Sequence, residues 1–83
     1  MKRELKINLM DEELLELIAE EIHTQWAGWM AYMLTNLSVD NLNRWDRQRK
    51  TRYDKLTEKE RDSDRALAKR ILEKISDWWW KQP

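Results

Sequence analysis

Residues 11–37, DEELLELIAEEIHTQWAGWMAYMLTNL, decide the fold. Within them Leu15, Ile18, Ile22, Trp26, Trp29, Met33 and Leu37 recur at steps of three and four. At about 100° per residue those positions form one stripe along a helix. Asp11 stands before the stripe as an N-cap. Glu12 and Glu13 follow in the first turn, where the helix dipole favours negative charge. Asn36 and Ser38 end the segment or begin the next turn. The spacing predicts a long first helix over about 12–36.

Working outward, residues 39–50 read as a second, shorter helix with Val39, Leu42, Trp45 and Arg49 on its inner face. Residues 51–57 read as a connecting loop. Thr57 and Glu60 have the spacing of a capping box, in which each side chain satisfies the other residue's backbone N–H. That predicts a third helix over about 58–77, with Leu67, Ile71, Ile75 and Trp78 on its apolar face. Upstream of the deciding stretch, Leu5, Ile7 and Leu9 alternate with Lys6 and Asn8, the pattern of a short strand or extended arm. The expected organisation is an all-α, three-helix domain over 11–80, an extended N-terminal arm over 1–10 and a tail over 81–83.

A chain of 83 residues is one domain with a thin core, for which self-association is a common remedy. It has no cysteine, which fits a reducing compartment. No apolar segment follows the first basic residues as in a secretory signal, and no apolar run reaches the ~18 residues of a membrane span. A cytoplasmic protein without a membrane partner is expected.

The 16 basic and 16 acidic residues cancel, which argues against a general electrostatic grip on nucleic acid. The charges are nevertheless segregated. Residues 11–43 hold seven acids and no Lys or Arg, whereas 44–55 hold six bases against Asp46 and Asp54. Such poles serve complementary packing between protomers or segments, or an anion site at the basic end.

Few residues carry chemistry. His23, the single histidine, falls at the edge of the stripe. It reads as a half-buried, hydrogen-bonded side chain. With no second histidine and no thiolate, a metal role would need carboxylates alone. No nucleophile motif is present, and no Gly-rich loop that would cradle phosphate. Neither catalysis nor a cofactor is expected. Asp64 shares the phase of Leu67, Ile71 and Ile75, which predicts a carboxylate among apolar residues. It is then either a polar bridge between the first and third helices or a polar group of a pocket. Trp45 and Arg49 stand four apart and can stack, as a surface pair or as a platform for an adenine ring beside phosphate-binding arginines. In Trp78-Trp79-Trp80 successive side chains point 100° apart, so all three cannot face inward. The triplet is either a tail over a thin core or a contact between protomers.

The stretch IAEEIHTQW (18–26), followed by YDKLTEKERDSDRALAKRIL (53–72), resembles the ryanodine-receptor (RyR) domain family. The likeness rests on Ala19, Glu20, His23 and Trp26, then on Tyr53, Leu56, Thr57, Glu60, Asp64 and Arg65. It spans roughly residues 14–75. The middle is similar to short stand-alone phage-encoded proteins of this type, with RWDRQ (44–48) in place of the receptors' Gly-rich hairpin. The resemblance implies a non-catalytic domain associated with adenine nucleotides or NAD-derived signals. It points to a phage protein, acting in the host cytoplasm, that sequesters an ADP-ribose-derived or cyclic nucleotide immune signal. The alternative is an interaction module that engages a host protein through its tryptophans. The expected ligand-binding residues are His23, Trp26, Trp45, Arg49, Tyr53, Asp64 and Arg65, with homo-oligomer formation expected as well.

Overall fold

A computed structural model describes residues 11–83 as three α-helices and a single 3-10 turn, and no strand occurs among them. The arm expected over residues 1–10 lies outside the described residues. Helix α1 spans Glu12–Thr35, α2 spans Val39–Arg49 and α3 spans Glu58–Trp80, with the 3-10 turn at Tyr53–Lys55.

Local chemistry sets these boundaries. The Asp11 side chain accepts hydrogen bonds from the backbone N–H groups of Glu13 (2.9 Å) and Leu14 (3.2 Å), satisfying two donors that α1 leaves open. Asn36 is the C-cap of α1, and Ser38 is the N-cap of α2, its hydroxyl accepting from the N–H of Asn41. The corner between them is closed by the Asn41 amide, which donates to the Asn36 carbonyl at 2.7 Å. At the start of α3 the capping box forms in both directions. Thr57 N–H donates to Glu60 Oε1 at 3.0 Å, and Glu60 N–H donates to Thr57 Oγ1 at 3.2 Å. α3 runs three residues beyond the expected 77, carrying the whole tryptophan triplet on its last turn.

Helices α1 and α3 pack against each other in antiparallel fashion. Two contacts fix the register: the Gln25 amide donates to the Leu67 carbonyl at 3.0 Å, and Arg70 pairs with Glu21. The same register sets Leu14 opposite Trp78, both buried at that end. At the other end α2 docks through Trp45, whose ring meets Trp29 and Tyr32 edge-on at 5.9 and 6.2 Å. The ion pair of Arg47 with Glu60 ties α2 to the first turn of α3.

The core is small. Leu14, Trp45, Leu56 and Trp78 are its buried apolar side chains among the described residues, together with one carboxylate, Glu21. The expected α1 stripe is not the packed face. Leu15, Ile22, Trp26 and Leu37 are each more than half exposed. α3 seats instead along Leu14, Glu21 and Gln25, spaced i, i+7 and i+11, about a quarter-turn around the helix. On α2 only Trp45 reaches the core. Val39, Leu42 and Arg49 are exposed, because one short helix set across the end of a two-helix pair can bury a single large side chain there.

Glu21 is 3% exposed, and the Arg70 Nε lies 3.0 Å from its Oε1. The N–H of that guanidinium is not aimed at the carboxylate oxygen, so the contact is an ion pair without a well-directed hydrogen bond. The Trp78 indole N–H, also buried, has no acceptor among the described residues.

Candidate functional site

The most chemically varied concavity lies where α2 crosses the end of the α1–α3 pair. Trp29 and Tyr32, one turn apart on α1, stack at 5.6 Å with an interplanar angle of 18°. Their spacing places both rings on the side of α1 that meets α2. Trp45 stands edge-on to both and closes the back. Trp29 and Tyr32 remain nearly half exposed, so aromatic faces are open to solvent.

A cleft of about 420 Å³ runs from these rings to the start of α3, bordered by Arg44, Arg47, Lys59, Glu60 and Ser63. That volume lies within the range of small-molecule sites. The Arg47 guanidinium is committed to Glu60. Arg44 lies 6.0 Å from the Trp45 ring centroid and donates to Asn41 Oδ1 at 3.1 Å. Lys59 has no ion-pair partner among the described residues. The cleft thus pairs an aromatic wall with a rim in which Glu60 offsets Arg47 and leaves Arg44 and Lys59 in excess, a combination suited to a flat ring carrying negative charge.

Three carboxylates around this end, Asp46, Glu58 and Glu60, are held below the usual range. Glu60 sits below the usual range because the Thr57 backbone N–H donates to it and Arg47 adds a second donor. Hydrogen bonds from Lys50 and Arg49 lower Asp46. Glu58 is lowered to about 2 by Arg61 and Arg65, and its carboxylate in turn raises Arg65.

The seven residues expected to bind ligand do not form one site. Trp45 is in the cleft wall. Arg49 is not stacked on Trp45. Its guanidinium turns to Asp46 at 2.7 Å, and Arg44 takes the place near the indole, because a carboxylate three residues away competes better than an indole for an exposed cation. Trp26 and Asp64 meet in a second groove between α1 and α3, with Ile22, Trp29, Gln48 and Leu67. Asp64 therefore has the expected phase, but it is exposed rather than buried, because the groove is not covered.

His23 stacks on Trp26 at 5.9 Å but is itself exposed. It also borders a different, acidic hollow with Glu13, Glu16 and Glu20, so it is not the half-buried residue expected. Tyr53 is half exposed on the 3-10 turn, away from either groove. Arg65 is held on the flank of α3 by Glu58 and Asp62, each at 2.7 Å. His23, Trp26, Tyr53 and Asp64 do not line one common cleft, since α3 seats a quarter-turn from the stripe. Sequence reasoning missed Tyr32, Arg44 and Lys59, and it placed Trp29 in the core. The signal available was the i, i+3 pair Trp29–Tyr32, which straddles the edge of the apolar stripe.

Of the tryptophan triplet, Trp78 is buried and Trp80 is 66% exposed, as the 100° step requires. Trp79 lies between them in exposure and meets Trp80 edge-on at 4.8 Å. Among the described residues no cluster of three or more His, Asp or Glu side chains could hold a metal ion, and no helix is long and apolar enough to cross a membrane. No family model, no curated protein and no solved structure matches this chain.

Proposed function

We propose that this chain is a non-catalytic binding module that takes a nucleotide-type ligand in the cleft between α2 and the α1–α3 pair. The observation that carries the reading is the juxtaposition of the half-exposed Trp29–Tyr32 stack with Arg44 and Lys59 across one cleft. A base lies on the aromatic faces, and phosphates reach the cationic rim. Base–aromatic stacking contributes about 1–3 kcal/mol where it has been measured in nucleic-acid complexes. The resemblance to the ryanodine-receptor domain family supports an adenine nucleotide of the ADP-ribose type or a cyclic nucleotide. In that reading a phage-encoded protein in the host cytoplasm holds the signal without cleaving it and so removes it from circulation.

Titration of the purified protein with ADP-ribose, its cyclic forms, NAD and cyclic dinucleotides tests the proposal, with tryptophan fluorescence and calorimetry as readouts. Binding that weakens on Trp29→Ala and on Lys59→Ala, and falls with added salt, supports it. Silence from all of these ligands at millimolar concentration sinks it. The second reading, a module that engages a host protein, is favoured by the exposure of Trp26 (55%) and Trp80 (66%). A defined host protein retained by the intact chain and lost on Trp80→Ala would favour it over the first.

A further inference from the structure

We infer that Gln48 selects the base in the aromatic cleft, its side-chain amide pairing with the edge of an adenine ring that carries the amino group. The inference rests on the nucleotide reading of that cleft and names the residue that makes the cleft specific.

Position is the first observation. Gln48 follows Trp45 by three residues and Arg44 by four, so the three side chains share one side of α2. Gln48 borders the cleft together with Trp29, Tyr32 and Trp45, the rings on which a base would lie. It is part-buried there. It also borders the two concavities on either side, with Trp29 common to all three, which sets the amide beside the centre of the aromatic cluster.

The amide is also uncommitted. The cations around it on α2 are engaged elsewhere: Arg44 with Asn41, Arg47 with Glu60, and Arg49 and Lys50 with Asp46. Neither the carbonyl oxygen nor the NH2 group of Gln48 has a hydrogen-bond partner among the described residues. A part-buried amide in that state offers one acceptor and one donor, side by side, to whatever enters.

Stacking on Trp29 and Tyr32 is tolerant of base identity, because every base has a π-face. Discrimination therefore falls to a group that meets the edge of the ring. An amide satisfies both of its atoms only where a donor adjoins an acceptor. Adenine has two such edges, since its amino group lies between two ring nitrogens, and either orientation of the stacked ring serves. On the corresponding N7 side guanine shows acceptors alone, which leaves the Gln48 carbonyl unmatched.

The experiment is calorimetric titration of the full chain with ADP-ribose and with its 6-desamino analogue, which keeps the ring, ribose and phosphates but lacks the amino donor. The native chain is expected to bind the analogue about 3- to 10-fold more weakly, the range of one hydrogen bond. Gln48→Met keeps the length of the side chain beside the rings and removes the amide. It is expected to bind ADP-ribose more weakly by a similar factor and to bind the two ligands alike, with an unchanged helical spectrum. Equal affinity of the native chain for both ligands would overturn the inference and leave the nucleotide reading standing, and this comparison needs no variant. Discrimination that persists in Gln48→Met would overturn it in the same way. Silence of the native chain toward both ligands would remove the inference together with the ADP-ribose reading beneath it.

Discussion

Removing Arg70 is expected to harm the fold far more than removing the carboxylate it faces. Glu21 is 3% exposed in the seam between α1 and α3, whereas the Arg70 side chain is half exposed. Arg70→Met keeps much of the aliphatic bulk but strands a buried carboxylate. Losing one partner of a fully buried pair costs about 3–5 kcal/mol. Arg70 is open to water on one side, so the pair is only partly desolvated and about 2 kcal/mol is the better figure. For a domain of this size that is a fall in Tm of roughly 8–16 °C.

Glu21→Leu should behave differently. It removes the desolvated charge, leaves Arg70 free to swing into solvent, and adds an apolar side chain to the seam. Replacement of buried ionic groups by apolar ones is often neutral or stabilising by about 1–4 kcal/mol. The expected outcome is a Tm unchanged or raised. The double variant should lie near Glu21→Leu, giving a coupling of about 2 kcal/mol between the sites. Thermal and urea melts followed by circular dichroism at one protein concentration provide the readout. If Arg70→Met melts within about 3 °C of the parent, or Glu21→Leu falls as far as Arg70→Met, the seam does not hold a desolvated carboxylate and the reasoning fails.

Asp64→Ala is expected to change stability by less than about 0.5 kcal/mol, since the side chain is exposed at the edge of a groove. A loss of 2 kcal/mol in the melt would mean that the groove is covered and Asp64 paired. Thr57→Ala should cost about 1 kcal/mol by removing half of the capping box at the start of α3. An unchanged melt would mean the box contributes nothing. On acidification, Asp46, Glu58 and Glu60 all have folded-state values below their unfolded ones, Glu58 reaching about 2. Their contribution is complete above the unfolded carboxylate range near pH 4–4.5 and is lost as pH falls from there toward 2. Stability should therefore decline between about pH 5 and 2, and a melt midpoint that is flat over that interval would contradict these ion pairs. Trp78→Phe should cost less than Trp45→Ala, because it removes a buried N–H that has no acceptor, whereas Trp45→Ala opens a cavity worth about 3–5 kcal/mol. Equal losses would place the Trp78 indole in a satisfied site.

The all-α architecture was legible because its signals are local. Asp11, Ser38 and Thr57 are caps whose partners lie within three residues, and all three set helix starts in the structure. The 3.6-residue period of α1 and the phase of Leu67, Ile71 and Ile75 are likewise properties of one helix at a time. What periodicity does not determine is which side of an apolar stripe a neighbouring helix takes. Here α3 seats on Leu14, Glu21 and Gln25, a line interrupted by a carboxylate and an amide. No hydrophobicity pattern selects such a line, because its polar members are acceptable only once Arg70 and the Leu67 carbonyl meet them.

That quarter-turn also explains why the candidate site was only partly legible. With the stripe centred on α3, His23 and Trp26 would have shared a cleft with Asp64. With α3 displaced, Trp26 and Asp64 stay together, but His23 turns outward toward Glu13, Glu16 and Glu20. The same displacement leaves Trp29 of the stripe to α2, whose buried Trp45 meets Trp29 and Tyr32 edge-on. The exposure of Trp29 and that of Leu15, Ile22 and Trp26 therefore have a common origin. A thin core that seats α3 along a polar seam leaves much of the most apolar side of α1 exposed, while its end meets α2. Burial of an Ile or Trp side chain contributes about 1.5–3 kcal/mol for residues of this size class. Leaving Leu15, Ile22 and Trp26 in water thus forgoes several kcal/mol, comparable to the whole stability of a small domain.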